Sequence, residues 1–303
     1  MHVERVAAGL HFPEGPVAMA DGSVLVTEIK AGRITRVRPD GTTGLLAETD
    51  GGPNGTAIGP DGALWICNNG GAFSWHDQQG LVVPGPTPAE HEGGSIQRFD
   101  LESGALETVY ESAGGTRLIA PNDLVFDGKG GFWFTDHGAT TADGRRFGAL
   151  LYGAADGSGA RREREGLIAP NGVGLSPDGR TVYVADTYLQ RLWAFDVEAP
   201  GRLAPPLGPA PGRVVANLPD YQLLDSLAVE EDGRVCVATI VNGGITIVSL
   251  DGTSDHVPIP DPICTNICFG GPDMRDAWIT ASGTGCLYKA RWPRPGLRLA
   301  FDA

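Results

Sequence analysis

Apolar and polar residues alternate along this chain in short runs that are typical of β-strands. The runs are rich in β-branched and aromatic side chains, and turn residues separate them. Many of the turns contain an Asp-Gly pair, which supplies the positive φ that a tight hairpin requires. No long apolar pattern with helical spacing stands out. The pattern predicts an all-β protein.

One phrase recurs six times along the sequence. Each copy opens with a carboxylate or amide residue, called here the leader, and continues through an apolar-rich run, a turn and a second strand-like run. The leaders are Glu14, Asn54, Asn122, Asn171, Asp225 and Asn266. The leaders are 40 to 68 residues apart, and repeats of this length predict blades arranged radially, as in a β-propeller.

Further strands complete each repeat. Third strands are visible, for example, at residues 32–37, 95–99 and 191–195, and fainter fourth strands at 107–110 and 214–216. Four antiparallel strands make one blade of a propeller. The sequence therefore predicts a single domain over residues 1–303, a six-bladed β-propeller with four antiparallel strands per blade.

The two ends of the chain and one long interval need separate predictions. Residues 3–6 are expected to supply the outer strand of the sixth blade and so close the ring, with residues 297–301 as the competing candidate. The interval between Asn54 and Asn122 is the longest, so it holds an insertion at about residues 68–94. This segment contains Phe73, Trp75 and His76 and is either a lid over the channel mouth or a surface insertion.

Charge and cysteine content limit the partners and the compartment. A formal net charge of −14 argues against nucleic acid, because phosphate backbones attract basic surfaces. No basic region followed by an apolar stretch opens the sequence, and no run approaches a membrane span. The five cysteines are an odd number, which favours a reduced, cytoplasmic setting over a disulfide scaffold. We expect all five to pack in or near the core.

Common catalytic signatures are missing from the sequence. It has no nucleophile elbow, no phosphate-binding loop, no dinucleotide fingerprint and no paired-histidine zinc helix. Any chemistry must therefore come from the leaders, which converge on one opening if they occupy equivalent places in a propeller. We predict a metal site at the mouth of the central channel.

The leaders are oxygen donors. Glu14 and Asp225 are carboxylates that would repel each other near a narrow channel, and a bound cation would remove that cost. Oxygen donors suit Ca²⁺, Mg²⁺ or Mn²⁺ better than Zn²⁺. A single Asn after Pro, as at Asn54, Asn122 and Asn171, is also a good turn residue, but the set as a whole favours one divalent ion, with Ca²⁺ first and Zn²⁺, Mn²⁺ or Mg²⁺ as alternatives.

Several motifs resemble the gluconolactonase/regucalcin (senescence marker protein) family. They are Phe-Pro-Glu-Gly-Pro at 12–16, Pro-Asn-Asp-Leu at 121–124, Pro-Asn-Gly-Val-Gly-Leu-Ser-Pro-Asp-Gly at 170–179 and Tyr-Val-Ala-Asp-Thr at 183–187. The resemblance covers nearly the whole chain. It implies a six-bladed propeller with one divalent ion at the channel mouth and, in many members, hydrolysis of lactones.

The resemblance also implies roles for individual leaders. Glu14, Asn171 and Asp225 match the metal ligands of the family. Asn122 matches a position that contacts substrate in the sugar-lactone members and ligates metal in the related diisopropyl fluorophosphatase. In animal sugar-lactonase members an Arg stands two residues before that Asn, whereas this chain has Ala120, with Arg117 as the nearby candidate to replace it.

The expected function is metal-dependent opening of a lactone ring. Asp225 would take the proton of the attacking water or attack directly, and Asn122 would orient the substrate. We expect Asn54, Asn122, His137, Tyr188 and Asn266 to contact the substrate, a small lactone or ester. The alternatives are an ester or phosphotriester hydrolase on the same metal and a binding propeller with a structural ion.

Overall fold

Nearly all regular structure in this chain is antiparallel β-sheet. The computed structural model describes residues 1–302, and within them the only helix is a short 3₁₀ turn at Ile29–Ala31. No helix in this part of the chain is long and apolar enough to cross a membrane. In chain order the strands are β1 (Val3–Ala7), β2 (Pro13–Ala18), β3 (Val24–Glu28), β4 (Arg33–Val37), β5 (Thr43–Glu48), β6 (Pro53–Ile58), β7 (Leu64–Asn68), β8 (Trp75–Gln78), β9 (Leu81–Pro84), β10 (Ser95–Phe99), β11 (Leu106–Tyr110), β12 (Ser112–Ala113), β13 (Thr116–Arg117), β14 (Pro121–Phe126), β15 (Gly131–Asp136), β16 (Ala139–Thr141), β17 (Gly144–Arg146), β18 (Gly148–Ala154), β19 (Ala160–Leu167), β20 (Pro170–Leu175), β21 (Thr181–Asp186), β22 (Arg191–Ala199), β23 (Arg202–Leu203), β24 (Arg213–Asn217), β25 (Leu223–Val229), β26 (Val235–Ile240), β27 (Gly244–Val248), β28 (Ser254–Pro258), β29 (Cys264–Gly270), β30 (Asp276–Ala281) and β31 (Cys286–Arg291).

The strands form a six-bladed propeller across residues 1–302, which confirms the predicted fold class. From the innermost strand outward, the blades are β2-β3-β4-β5, β6-β7-β10-β11, β14-β15-β18-β19, β20-β21-β22-β24, β25-β26-β27-β28 and β29-β30-β31-β1. Each innermost strand contacts the innermost strands of the blades on either side, and β29 returns to β2. The inner strands therefore surround one central channel.

The first strand of the chain closes the ring. Strand β1 pairs with β31 in the last blade, with Val3 opposite Ala290, which confirms the prediction for residues 3–6. The competing segment near the C-terminus lies elsewhere. Leu297 donates its backbone N–H to the Val229 carbonyl at 2.8 Å, and with its neighbours it borders the channel at the end away from the leaders.

Apolar side chains fill the spaces between blades. Between blades two and three, for example, Trp65 packs edge-to-face on Phe126 at 5.6 Å between ring centroids, and Phe132 lies 5.2 Å from both rings. The cysteines belong to this interior as predicted: they are unbridged, one of them is half-buried and the others are buried. Sheet-to-sheet packing of this kind positions the inner strands rigidly.

The inner strands approach each other so closely that some positions admit only glycine. Gly15 has φ +48°, and a Cβ placed there would stand 2.2 Å from the backbone carbonyl oxygen of Asn54 in the next blade. At Gly172 a Cβ would stand 2.5 Å from the backbone nitrogen of Leu227. Each of these glycines directly follows a leader, so the crowding holds the leaders close together.

We predict that replacing Gly15 with Ala lowers the free energy of unfolding by about 2–4 kcal/mol, because the methyl group meets a backbone oxygen at an unfavourable φ. The matched control is Gly62→Ala, where φ is +76° but no atom lies within 4 Å, so the loss should be only about 1 kcal/mol. Urea denaturation followed by tryptophan fluorescence measures both. Equal losses in the two variants would contradict the proposed crowding.

Candidate active site at the channel mouth

Each inner strand of the described chain carries a β-bulge at the leader position. In blade three, Pro121 pairs with Asp136 but the next pair is Leu124 with Phe134, so the inner strand has one residue more than its partner. The same irregularity occurs in β2, β6, β20, β25 and β29. A bulge bends the strand and redirects a side chain, and it is common next to active sites.

The bulges bring five of the predicted leaders together. They line one cavity of about 200 Å³ at the mouth of the channel, and they are Glu14, Asn54, Asn122, Asn171 and Asp225. His137 and Tyr188, predicted to border the same mouth, line this cavity as well. The predicted convergence is confirmed for these residues.

The sixth leader was assigned one residue too late. In blade six, Cys264 pairs with Ala281 and Ile267 with Ile279, so Thr265 occupies the position that Asn122 has in blade three. Thr265 lines the cavity, whereas Asn266 borders the central channel on the side away from the mouth. No Pro marks the entrance of β29, and the bulge sets a register that the residue types do not reveal.

Buried acceptors at the ends of the second strands hold the loops that lead into the leaders. In blade three, the Asp136 carboxylate accepts the backbone N–H groups of Ile119 and Ala120, both at 2.8 Å, and of Gly138 at 3.1 Å. These bonds fix the backbone immediately before Asn122. The corresponding acceptors in other blades are Glu28, Asn68 and Asp186.

The floor of the cavity brings buried carboxyl groups close together. Burial raises the pKa of Glu14 well above its usual range, and the Asp225 carboxylate adds to the effect. Burial likewise raises the pKa of Asp225 to about 7, with a further contribution from Asp123 on the channel side. Burial alone is the main cause that brings the pKa of Asp123 to about 7. Within residues 1–302 no Lys or Arg lines this cavity to compensate.

Two oxygens on this floor have no partner in the described chain. Glu14 binds through Oε2 alone, which accepts the Asn266 side-chain amide at 2.7 Å, and its Oε1 is buried and unpaired. Asn122 Oδ1 is also buried and unpaired. Buried acceptors are nearly always satisfied, so these oxygens indicate a missing donor or cation.

The remaining donors suit a cation of the hard type. Asn171 Oδ1 accepts one bond from the Ser226 hydroxyl at 3.3 Å, and an amide oxygen has a second lone pair. Among residues 1–302, three or more His, Cys, Asp or Glu side chains do not gather at any one point, so a cation here would need amide oxygens as well as carboxylates. That mixed oxygen set fits Ca²⁺ or Mg²⁺ better than Zn²⁺.

His137 and Tyr188 form one side of the cavity next to the half-buried guanidinium of Arg145. Burial lowers the pKa of His137 to about 3, and Arg145 adds to the shift, so the imidazole is neutral near pH 7. Its Nδ1 has no partner in the described residues. Arg145 lies 4.8 Å from the Tyr188 ring centroid, and its nitrogens donate to the carbonyls of Ile168 and His137 and to the Thr140 hydroxyl.

The loop before Asn122 places no positively charged side chain in the cavity. The Ala120 side chain is buried in a small cluster with Ala72, Ile119 and Ala139, outside the cavity lining. Arg117 is exposed and lines a separate groove on the side of blade two. The suggestion that Arg117 replaces the missing arginine is therefore wrong.

Sequence reasoning missed the apolar walls above the leaders. They include Phe12 and Leu223, which lie two residues before a leader, and residues at or beyond the ends of second strands. A constant offset from the repeated phrase is the signal that would have found the members outside the insertion. The residues missed are Phe12, Ile29, Val83, Pro84, Thr187, Leu223, Ile240 and Ile263.

The insertion predicted at residues 68–94 contributes a hairpin to the same cavity. Strands β8 and β9 pair with each other, and Phe73, Val83 and Pro84 line the cavity. The backbone N–H of Val82 donates to the Gly283 carbonyl of blade six at 2.9 Å, and that of Thr87 donates to the Thr140 carbonyl of blade three at 2.8 Å. The segment thus reaches from one side of the mouth to the other.

Comparisons with known proteins agree with this architecture. The family model described as the SMP-30/gluconolactonase/LRE-like region matches residues 12–283. A gluconolactonase of Zymomonas mobilis is 25% identical over 300 residues, covering 88% of this chain and 76% of that protein. A lactonase drp35 of Staphylococcus saprophyticus is 26% identical over 246 residues, covering 79% and 67%. The solved structure of a gluconolactonase from Xanthomonas campestris superposes with a TM-score of 0.75 at 24% identity, over 96% of this chain and 89% of that one.

The anchoring role of Asp136 can be tested by an isosteric change. Asp136→Asn should lower the free energy of unfolding by about 3 kcal/mol, because one carboxylate oxygen that accepts buried backbone N–H groups becomes an amide nitrogen. Asp100→Asn is the matched control, since this solvent-facing carboxylate also accepts two backbone N–H groups, from Glu102 and Ser103. There we expect almost no change in the urea midpoint, because water competes for the same backbone N–H groups. Similar urea midpoints for the two variants would contradict the role.

Proposed function

We propose that this protein is a metal-dependent lactone hydrolase, and the premise is the family: the chain belongs to the SMP-30/gluconolactonase/LRE-like family. The proposal is carried by one observation, the pair of buried unpaired oxygens on Glu14 and Asn122 among uncompensated carboxylates. A lactonase activity is further supported by the names of the relatives, gluconolactonase and lactonase drp35.

The residues that would hold the ion are Glu14, Asn122, Asn171 and Asp225. Their side chains line one cavity and offer two carboxylates and two amide oxygens. Polarisation of the lactone carbonyl is the chemistry that a divalent ion supplies at such a site, and Ca²⁺ is the ion we expect because it accepts several neutral and charged oxygens. A bound cation would also offset the repulsion between Glu14 and Asp225.

Asp225 is the proposed base. Its carboxylate borders the cavity, and the neighbouring Asn171 side chain lowers its pKa and so favours the charged form. The oxygen of the attacking water bonds to the carbonyl carbon, and Asp225 takes a proton from that water. The ring C–O bond then breaks, the departing alkoxide oxygen receives the proton, and a hydroxy acid results. Asn122 orients the substrate through its side-chain amide.

The hairpin β8–β9 is the proposed cover of the mouth. The hairpin is tied to blade six and the residues after it to blade three by backbone hydrogen bonds, and Phe12 packs on Trp75 with 4.9 Å between ring centroids. A cover of this kind keeps bulk water away from the carbonyl during ring opening, which strengthens every electrostatic contact inside the cavity.

Asp225→Asn should abolish lactone opening, with kcat reduced by at least about a thousandfold, because the amide cannot accept the proton of water. The surface variant Asp220→Asn in the loop before β25 is the control and should keep full activity. A pH-stat assay with Ca²⁺, run on lactones, aryl esters and phosphotriesters, gives the rates. Unchanged turnover in Asp225→Asn with a native circular dichroism spectrum would refute the role of Asp225. If the wild-type protein hydrolyses phosphotriesters but no lactone, the proposed substrate class is wrong.

Metal binding is tested separately through stability. At a Ca²⁺ concentration of about 100 times its dissociation constant, the wild-type protein should gain about 2.7 kcal/mol of stability. Glu14→Gln should gain much less, because the buried ligand charge is gone. In chelator the same variant should be at least as stable as wild type, since a buried like charge has been removed. Equal Ca²⁺-induced shifts in thermal unfolding would exclude Glu14 as a ligand.

A further inference from the structure

The cavity above the leaders has two chemically different sides. Oxygen-bearing side chains occupy its floor, and the side formed by blades three and four adds His137, Thr187 and Tyr188. Blades five, six and one contribute apolar side chains instead. The apolar wall, defined by its residues, consists of Phe12, Ile29, Phe73, Val83, Pro84, Leu223, Ile240 and Ile263.

The apolar wall is a packed surface and not a chance grouping. Phe12, Ile29 and Ile263 are buried in a common cluster, against which Phe73 and Ile240 pack. The insertion contributes to the cluster through the β8–β9 hairpin, so the wall extends over the top of the cavity. A substrate group lying against it would exchange water for apolar contacts.

Several of the polar groups around the cavity are already engaged by other protein groups. Thr187 accepts the Asn171 side-chain amide at 3.3 Å, and Thr265 is bonded to the hydroxyls of Thr280 and Ser282. The nitrogens of Arg145 that donate are all engaged by protein acceptors next to His137.

The loop before Asn122 adds no polar group to the walls either. Its residue Ala120 ends in a methyl group that is buried against Ala72 and Ala139 and does not reach the cavity. Apart from the floor, the free polar groups that face a substrate are therefore few, and the clearest are the His137 Nδ1 and the Tyr188 hydroxyl on the side of blades three and four.

We infer that the substrate is a lactone with an alkyl or aryl substituent and not a polyhydroxylated sugar lactone; this rests on the proposed function and specifies the substrate of the same site. The ring carbonyl meets the oxygen floor, and the substituent lies against the apolar wall. Each buried methylene should raise kcat/KM about fourfold. A ring hydroxyl forced against the wall loses its water without gaining a partner, and lowers kcat/KM.

A matched pair of lactones tests this directly. Wild-type protein with Ca²⁺ is assayed on δ-lactones with alkyl chains of increasing length and on an aldonolactone of the same ring size. We expect kcat/KM to rise with chain length until the cavity is filled and the aldonolactone to be at least a hundredfold poorer. An aldonolactone that is opened as well as or better than the alkyl lactones overturns the inference while leaving the proposed hydrolase intact.

A pair of isosteric variants locates the effect on the wall. Val83→Thr keeps the shape of the side chain and adds a hydroxyl to the wall, so kcat/KM for the longest alkyl lactone should fall about threefold to tenfold. Val214→Thr makes the same change on the outer strand of blade four, where the side chain is exposed and lines no part of the cavity, and should leave kcat/KM unchanged. Equal effects of the two variants would remove the wall from substrate recognition.

Non-hydrolysable lactams separate this inference from the proposed function. Calorimetry of the Ca²⁺-loaded protein should show tighter binding of an alkyl-substituted lactam than of its hydroxylated analogue, with a negative heat-capacity change. If no lactone is opened but this preference is observed, the hydrolase proposal fails and apolar recognition stands. Tighter binding of the hydroxylated lactam overturns the inference whether or not lactones are opened.

Discussion

The close approach of the inner strands around one axis is the constraint on which the rest of this structure depends. Gly15 and Gly172 exist because a neighbouring backbone lies where a Cβ would be. The bulges that accompany the crowding turn the leaders toward the mouth. Polar residues that are far apart in sequence thereby share a small volume. In that volume Glu14 and Asp225 repel each other when both are charged, and either a proton or a bound cation removes the repulsion.

That volume is poorly solvated, so repulsion between its carboxylates and attraction of a cation are both strong. Burial opposes the charged form of Glu14 and of Asp225, and nothing basic from this chain lines the cavity within residues 1–302. The same low polarity makes an unpaired oxygen such as Asn122 Oδ1 costly and a bound cation favourable. The buried oxygens therefore destabilise the site when it is empty, and for the same reason they favour binding of a cation.

The fold was predictable because each blade repeats its own signal. Asp-Gly turns and β-branched runs marked the strands, and a Pro before the leader marked four of the entrances described, as at Pro121. The error at Asn266 has a physical cause, because a bulge in the hydrogen-bond register sets the leader position. Thr265 occupies that position, but it has no side-chain amide and no Pro precedes it, so the sequence does not mark it. The apolar wall was not predicted, since Phe12 and Ile263 look like ordinary strand-flanking hydrophobics until the ring is closed.

Closure of the ring by β1 has a consequence for how the molecule is made. Strand β1 is synthesised before β31 and must wait for it before the sheet of blade six can be completed. The closing pair of strands lies inside blade six, and the inner strand of that blade contacts blade one, where the Asn266 side chain donates to Glu14. Contacts of such long sequence separation form late and slowly. We therefore expect the oxygen floor, whose members come from five blades, to be fully assembled only after the ring has closed.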